Sequence, residues 1–245
     1  MAKLSPKGRM TGVSGPVYFR TLNNVQIVQT RPDRSNQNKE NNPSAKLFKR
    51  TAYSLKILRR SIELFLGNRY ESTAHQRLMG QVMKALRKNT TLPITETTVY
   101  NTSIEDIIGF EWNTKQLFTD TFLGDIALEV LTDNKLSVKI DTFIPIEQVV
   151  FPPLCTHASI RIEGFFMNDM DANIGNVTNT LSIDFSKSDK VVESPLFKII
   201  VPAGSDLRVV VAEIQFFYPI NNNPNQLTLY NGKDFNPSVV VYVGR

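Results

Sequence analysis

The spacing of apolar residues changes once along this 245-residue chain, near Thr91, and that change limits the folds open to it. Upstream, Leu47, Leu55, Leu58, Ile62 and Phe65 are separated by 8, 3, 4 and 3 residues. On a helix they form a stripe about 80° wide, which predicts an amphipathic helix from Pro43 to Leu66. Asn42-Pro43 supplies a capping side chain followed by proline in the first turn, and Gly67-Asn68 supplies a stop. A second helix is expected from about Thr73 to Lys88, with Leu78, Val82, Ala85 and Leu86 inward. The two read as a helical hairpin, or as one long helix kinked at Gly67.

Downstream the period is two. Leu136, Val138 and Ile140 alternate with Ser137 and Lys139, and Ile160 and Ile162 with Ser159 and Arg161. Leu181, Ile183 and Phe185 alternate in the same way with Ser182 and Asp184. Further strands are expected over 107–112, 125–131, 196–201, 207–218, 226–230 and 238–243, divided by turn signals such as Ala203-Gly204 and Asn231-Gly232. Many short strands with turns between them point to an antiparallel β-sandwich.

Ahead of the helices, residues 9–30 read as a β-hairpin. Val17-Tyr18-Phe19-Arg20 leads into Asn23-Asn24, and Val25-Gln26-Ile27-Val28-Gln29 returns. Residues 31–42 contain no apolar side chain except Pro32 and read as a polar linker. The expected fold is therefore α+β in three parts. Residues 1–42 form a β-hairpin arm with its linker, 43–92 a basic helical hairpin, and 93–245 a C-terminal antiparallel β-sandwich domain.

Charge follows the same division. Residues 1–92 hold 18 of the 28 Lys and Arg but 4 of the 23 Asp and Glu, so the net charge of +5 conceals a basic half and an acidic half. Lys46, Lys49, Arg50, Lys56, Arg59 and Arg60 gather on the helix face away from the apolar stripe, with Tyr53 among them. Like charges on one face repel, so the face suits an acidic or polyanionic partner, the plain alternative being a solvated outer surface that keeps the helix in water. Two partners fit: another copy of this chain, whose β part is acidic, and nucleic acid, whose phosphates would meet the cations while a base stacks on Tyr53.

Catalytic chemistry finds little support. Cys155 is the one cysteine, and His75 and His157 are the two histidines, too few for a zinc site without borrowed carboxylates. Cys155 and His157 share a strand face at a two-residue spacing, yet a packed cysteine is the commoner use of such a position. Asp169-Met170-Asp171-Ala172-Asn173 opens like a calcium loop, but Ile174 and Thr180 stand where glycine and glutamate are required. No cofactor, metal or enzymatic activity is expected. No apolar run is long enough to span a membrane or serve as a secretory leader, so synthesis in the cytoplasm is expected.

The stretch GRMTGVSGPVYFRTLNNVQIVQTRP, followed by a polar linker and SAKLFKRTAYSLKILRRSIELF, resembles an uncharacterised family of Bacteroidota, a domain of unknown function. Its members open with a Gly-rich hairpin, continue through an Arg-Pro element and a basic helix, and end in a β-rich part. The matching positions are Gly12, Gly15, Pro16, Tyr18, Arg20, Arg31 and Pro32, and Ser14-Gly15 stands in place of the usual Val-Gly. The resemblance implies this architecture in a bacterial or phage-like setting, and no mechanism.

The functional expectation is a non-enzymatic structural protein that self-assembles. Its arm, through Val17, Tyr18, Phe19, Val25 and Ile27, would join a neighbouring subunit, with opposite-charge contacts adding to it. The alternative is a coat-like nucleic-acid-binding protein that uses the basic helix face.

Overall fold

The computed structural model describes residues 2–6, 8–22, 24–30, 42–132, 134–169, 180–220 and 223–245. The chain divides into two compact units, 1–42 and 43–245. In the first unit four strands, β1 (Lys3–Leu4), β2 (Met10–Ser14), β3 (Val17–Leu22) and β4 (Val25–Thr30), pair antiparallel in sequence order. The expected hairpin is thus the second half of a four-stranded meander. The added strand β2 was not legible because Gly12 interrupts its alternation; pairing of Gly12–Ser14 with Val17–Phe19 recruits it. Of the expected linker, residues 31–41 lie outside the described residues.

The second unit is a layered α+β body. Helices α1 (Pro43–Leu66) and α2 (Ala74–Lys88) form the expected hairpin, and all of Leu47, Leu55, Leu58, Ile62 and Phe65 are buried. Gly67 and Asn68 both adopt positive φ, +59°, to end α1. A Cβ on Gly67 would meet only the movable end of the Arg69 side chain, so it is the positive φ that favours glycine at this turn.

Below the helices lies a five-stranded antiparallel sheet. β7 (His157–Met167) and β10 (Leu207–Ile220) are its centre, and β8 (Thr180–Ser186) flanks β7. The far edge of β10 is shared between β12 (Ser238–Gly244) on its first half and β11 (Asn223–Leu229) on its last turns. A second sheet, β5 (Ile126–Leu131), β6 (Lys135–Ile140) and β9 (Phe197–Ile200), packs on the face opposite the helices. Two short helices, α3 (Phe118–Thr121) and α4 (Pro145–Gln148), lie on that side too.

The central strands are therefore buried on both faces. Phe165, Met167, Val209 and Val211 meet the helices, while Ile160, Ile162, Val210 and Ala212 meet the second sheet. The helices are not a domain apart, because their apolar stripe shares one core with this sheet and with Val99, Ile104, Ile107, Phe110 and Trp112 of the segment after α2. The expected boundary near residue 92 falls inside one shared core.

The expected strand at 107–112 is not one. A 3-10 turn at Glu105–Ile107 and positive φ at Gly109 break it, leaving a single bridge from Glu111 to Val239. The segment still lies along β12, with Gly109 N donating to Val240 O and Trp112 N to Ser238 O, and so covers an otherwise open sheet edge. Among the described residues no helix is long and apolar enough to cross a membrane.

Two buried polar devices hold the layers in register. Between the stretches of β10 paired by β12 and by β11, the buried Asn231 side chain substitutes for a strand. Its Oδ1 accepts from Phe216 N at 2.7 Å, and its Nδ2 donates to Ile214 O at 2.8 Å and Asn236 Oδ1 at 2.7 Å. On the helix face Glu213, fully buried, takes Arg69 Nη2 at 3.0 Å on one oxygen and Arg161 Nη1 at 3.0 Å on the other. Gln215 Nε2 adds a third donor at 2.9 Å, and the Arg161 guanidinium lies over the Phe65 ring. The carboxylate thus ties the end of α1 to the sheet.

Asn231→Leu keeps the branching of the side chain but strands Phe216 N–H and Ile214 C=O. It should lower stability by roughly 2 kcal/mol or more, read as a shifted urea midpoint with an unchanged m value.

Candidate functional site

The cations expected on one helix face divide into two groups. Arg50 is committed internally: its guanidinium donates to the carbonyl oxygens of Ile94 and Thr97 at 3.1 Å each, and to that of Thr95. It clamps the loop after α2 and is no ligand for an outside anion. Arg59 stands 3.4 Å from Glu63, one helical turn on. Lys46, Lys49, Lys56 and Arg60 remain exposed along the outer side of α1, and none of them forms an ion pair among the described residues. Tyr53 lies in this stripe, 64% exposed. Beside it Lys46, Lys49, Tyr53, Thr98, Tyr100 and Asp169 border a hollow of about 500 Å³.

The arm residues also divide. The β3–β4 register pairs Phe19 with Val28, Arg20 with Ile27 and Leu22 with Val25. Side chains alternate along a strand, so Val17 and Phe19 share one sheet face with Val28, while Tyr18, Val25 and Ile27 share the other. The five residues expected to act as one surface belong to two. None of the described residues of this unit is buried. Asn24, at φ +68°, makes the turn between the strands.

A third surface was not anticipated from sequence. Phe48 on α1, and Met79, Gly80 and Met83 on α2, line a groove of about 790 Å³ with Lys84, Arg87 and Lys88 on its rim. Phe48 is 53% exposed because it falls at the margin of the α1 stripe. The sequence signal for this surface is Gly80, a glycine in mid-helix.

His75 closes one end of this groove. Its Nε2 lies 3.2 Å from Glu63 Oε1, which also accepts from Tyr70 OH at 2.6 Å. Burial, then the Arg59 charge, pushes the imidazole pKa down, and burial with the Glu63 bond pushes the Tyr70 hydroxyl up to about 12. His75 is thus a neutral packing group among Tyr70 and Trp112.

Cys155 is buried, and burial raises its thiol to about 11, which keeps it protonated at neutral pH, the opposite of what a nucleophile needs. His157 turns its Nδ1 to Thr156 Oγ1 at 2.9 Å. The calcium-like run lies beyond Asp169 outside the described residues; Asp169 N itself donates to Asp206 at 3.1 Å. Among the described residues no group of three or more His, Cys, Asp and Glu is placed to hold a metal.

Two carboxyls near Arg77 are shifted in opposite directions by their surroundings. Burial drives Glu111 up to about 7, although it accepts from Phe118 N at 2.9 Å. Burial alone would raise Glu71 as well, but bonds from Thr114, Thr73 and Arg77 outweigh it and hold it at about 2. Compared with known protein families, curated proteins and solved structures, the chain matches none.

The two carboxyls act on stability with opposite sign. Glu111, raised from 4.5, adds stability below pH 4.5 that is lost as pH climbs to about 7; Glu71, lowered from 4.5, adds stability above 4.5 that is lost toward pH 2. Glu111→Gln should therefore gain on the parent between pH 4.5 and 7, and Glu71→Gln should lose to it near neutrality, both followed by urea midpoints across pH.

Proposed function

We propose that this chain is a non-enzymatic structural protein, made in the cytoplasm, that self-assembles through its N-terminal sheet. The observation that carries this reading is a four-stranded sheet in which none of the described residues is buried, with apolar side chains on both faces and ending in a strand whose outer edge pairs with no other described strand. That strand, β4, reads Val-Gln-Ile-Val-Gln-Thr, with neither a charge nor a proline to guard it. Natural edge strands are protected by such residues because exposed N–H and C=O groups template further pairing. A small sheet with no buried side chain among its described residues lacks the burial that would hold it, and in this reading a neighbouring subunit supplies that surface. Main-chain bonds along β4 and side chains on either face then add together.

A second reading draws on a separate observation, the exposed Tyr53 within the unpaired stripe of Lys46, Lys49, Lys56 and Arg60. Cations that track phosphates beside an aromatic ring suit single-stranded nucleic acid. The two readings are compatible, since a coat that assembles through one unit can face a polyanion with the other.

Val25→Asp with Ile27→Asp removes two apolar residues from one sheet face and charges the edge strand. Sedimentation velocity should show the parent as a large species and this variant as a folded one that sediments more slowly; a variant that still sediments with the parent contradicts the assembly reading. For the second reading, oligonucleotide affinity should fall with salt at a log–log slope of about 0.7–0.9 per phosphate neutralised. Reversing Lys49, Lys56 and Arg60 to glutamate should flatten that slope, and an absence of binding at low salt would exclude nucleic acid.

A further inference from the structure

The groove between α1 and α2 has a counterpart elsewhere on the same chain. Phe122 bridges to Val149, Leu123 N donates to Gln148 O at 2.8 Å, and Val150 N donates to Thr121 O at 2.9 Å. This pairing brings together the exposed side chains of Leu123 and Val150, and α4 sets Ile146, 66% exposed, just before them. Three exposed carboxylates, Asp120, Asp125 and Glu147, belong to these same segments and form no ion pair among the described residues. The patch is thus apolar with an acidic margin. The groove is its converse: Phe48, Met79 and Met83 at the floor, with Lys84 and Arg87 at the rim, neither ion-paired among the described residues.

Gly80 adds an independent indication. It lies in the middle of α2 on the groove wall, exposed, and a Cβ built there meets nothing within 4 Å. Glycine is disfavoured in a helix interior, and no neighbour inside this chain requires it. A backbone approaching closely from outside would require it.

The groove belongs to the helix layer, and the patch to the elements packed on the other face of the central sheet. They cannot meet within one copy. We propose that they meet between copies: Leu123, Ile146 and Val150 of one subunit seat in the methionine-lined groove of the next, against Gly80, with carboxylates facing Lys84 and Arg87. Such a contact joins unlike surfaces, so it repeats head to tail and generates a ring or an open filament. The proposal rests on the self-assembly reading but not on the arm, and gives the assembly a polarity that strand pairing alone does not.

The test is made in the Val25→Asp/Ile27→Asp chain, which isolates this contact from the arm. Sedimentation velocity of that chain should show association that grows with concentration and weakens with salt. Gly80→Leu, which fills the groove, and Leu123→Asp/Val150→Asp, which spoils the patch, should each leave a monomer. Mixed in equal amounts, those two blocked chains retain one good groove and one good patch between them and should form a one-to-one dimer that grows no further. A second groove variant, Lys84→Glu/Arg87→Glu, alters only exposed charges and should behave as Gly80→Leu does. A mixture that stays monomeric, or blocked chains that associate as before, overturns the proposal. Retention of the monomeric chain on phosphatidylserine vesicles, lost with Lys84→Glu/Arg87→Glu, overturns it in favour of an anionic lipid surface. Failure of the arm reading shows separately, as a Val25→Asp/Ile27→Asp chain that assembles no less than its parent.

Discussion

The body of this protein is organised around a strand whose middle, residues 209–214, has no side chain open to water. β10 is covered above by the helices, below by the second sheet, on one edge by β7, and on the other by β12, Asn231 and β11 in succession. Every backbone N–H and C=O along such a strand needs a partner, since an unpaired buried polar group costs about as much as a lost hydrogen bond. That demand explains why one side-chain amide is placed where two strands fail to meet. It also explains why Glu213, pointing to the helix face of the same strand, is surrounded by two arginines and a glutamine.

The surfaces offer a contrast in how residues of one chemical kind are used. Arg50, Arg69 and Arg161 hold separate parts of the molecule together, through carbonyls or Glu213, and Arg59 pairs with Glu63 on its own helix. The lysines of the outer α1 side do not. Guanidinium groups reach several acceptors at once in a fixed plane, which suits them to clamps; an ammonium on a flexible stem is better left in water. The basic half of the chain is thus partly scaffold, and what it offers a partner is less than its net charge implies.

Much of the secondary structure was legible. The helical stripe from Leu47 to Phe65 and the alternation through Leu136–Ile140 and Leu181–Phe185 are burial patterns written at the right period, and the structure buries those residues. Strand β2 was not legible, since its pairing with β3 matters more than its own pattern, and 107–112 misled because its apolar residues serve a turn lying along β12. The candidate surfaces were legible as residue types and not as surfaces. Val17 and Phe19 look equivalent to Val25 and Ile27 until the register of Arg20 against Ile27 places them on opposite faces.

Sequence alone determined the class of fold, the turn at Gly67-Asn68, the identity of the core residues and the segregation of charge, because each is a local matter of period, backbone freedom or composition. Tertiary structure decided which cations are free, which apolar residues face together, and that helices and strands share one core. Those are questions of which distant segments meet. Gly80 and Ile146 show the difference: each is a single unremarked residue in sequence, and each acquires a meaning only when folding sets Phe48 near one and Leu123 near the other.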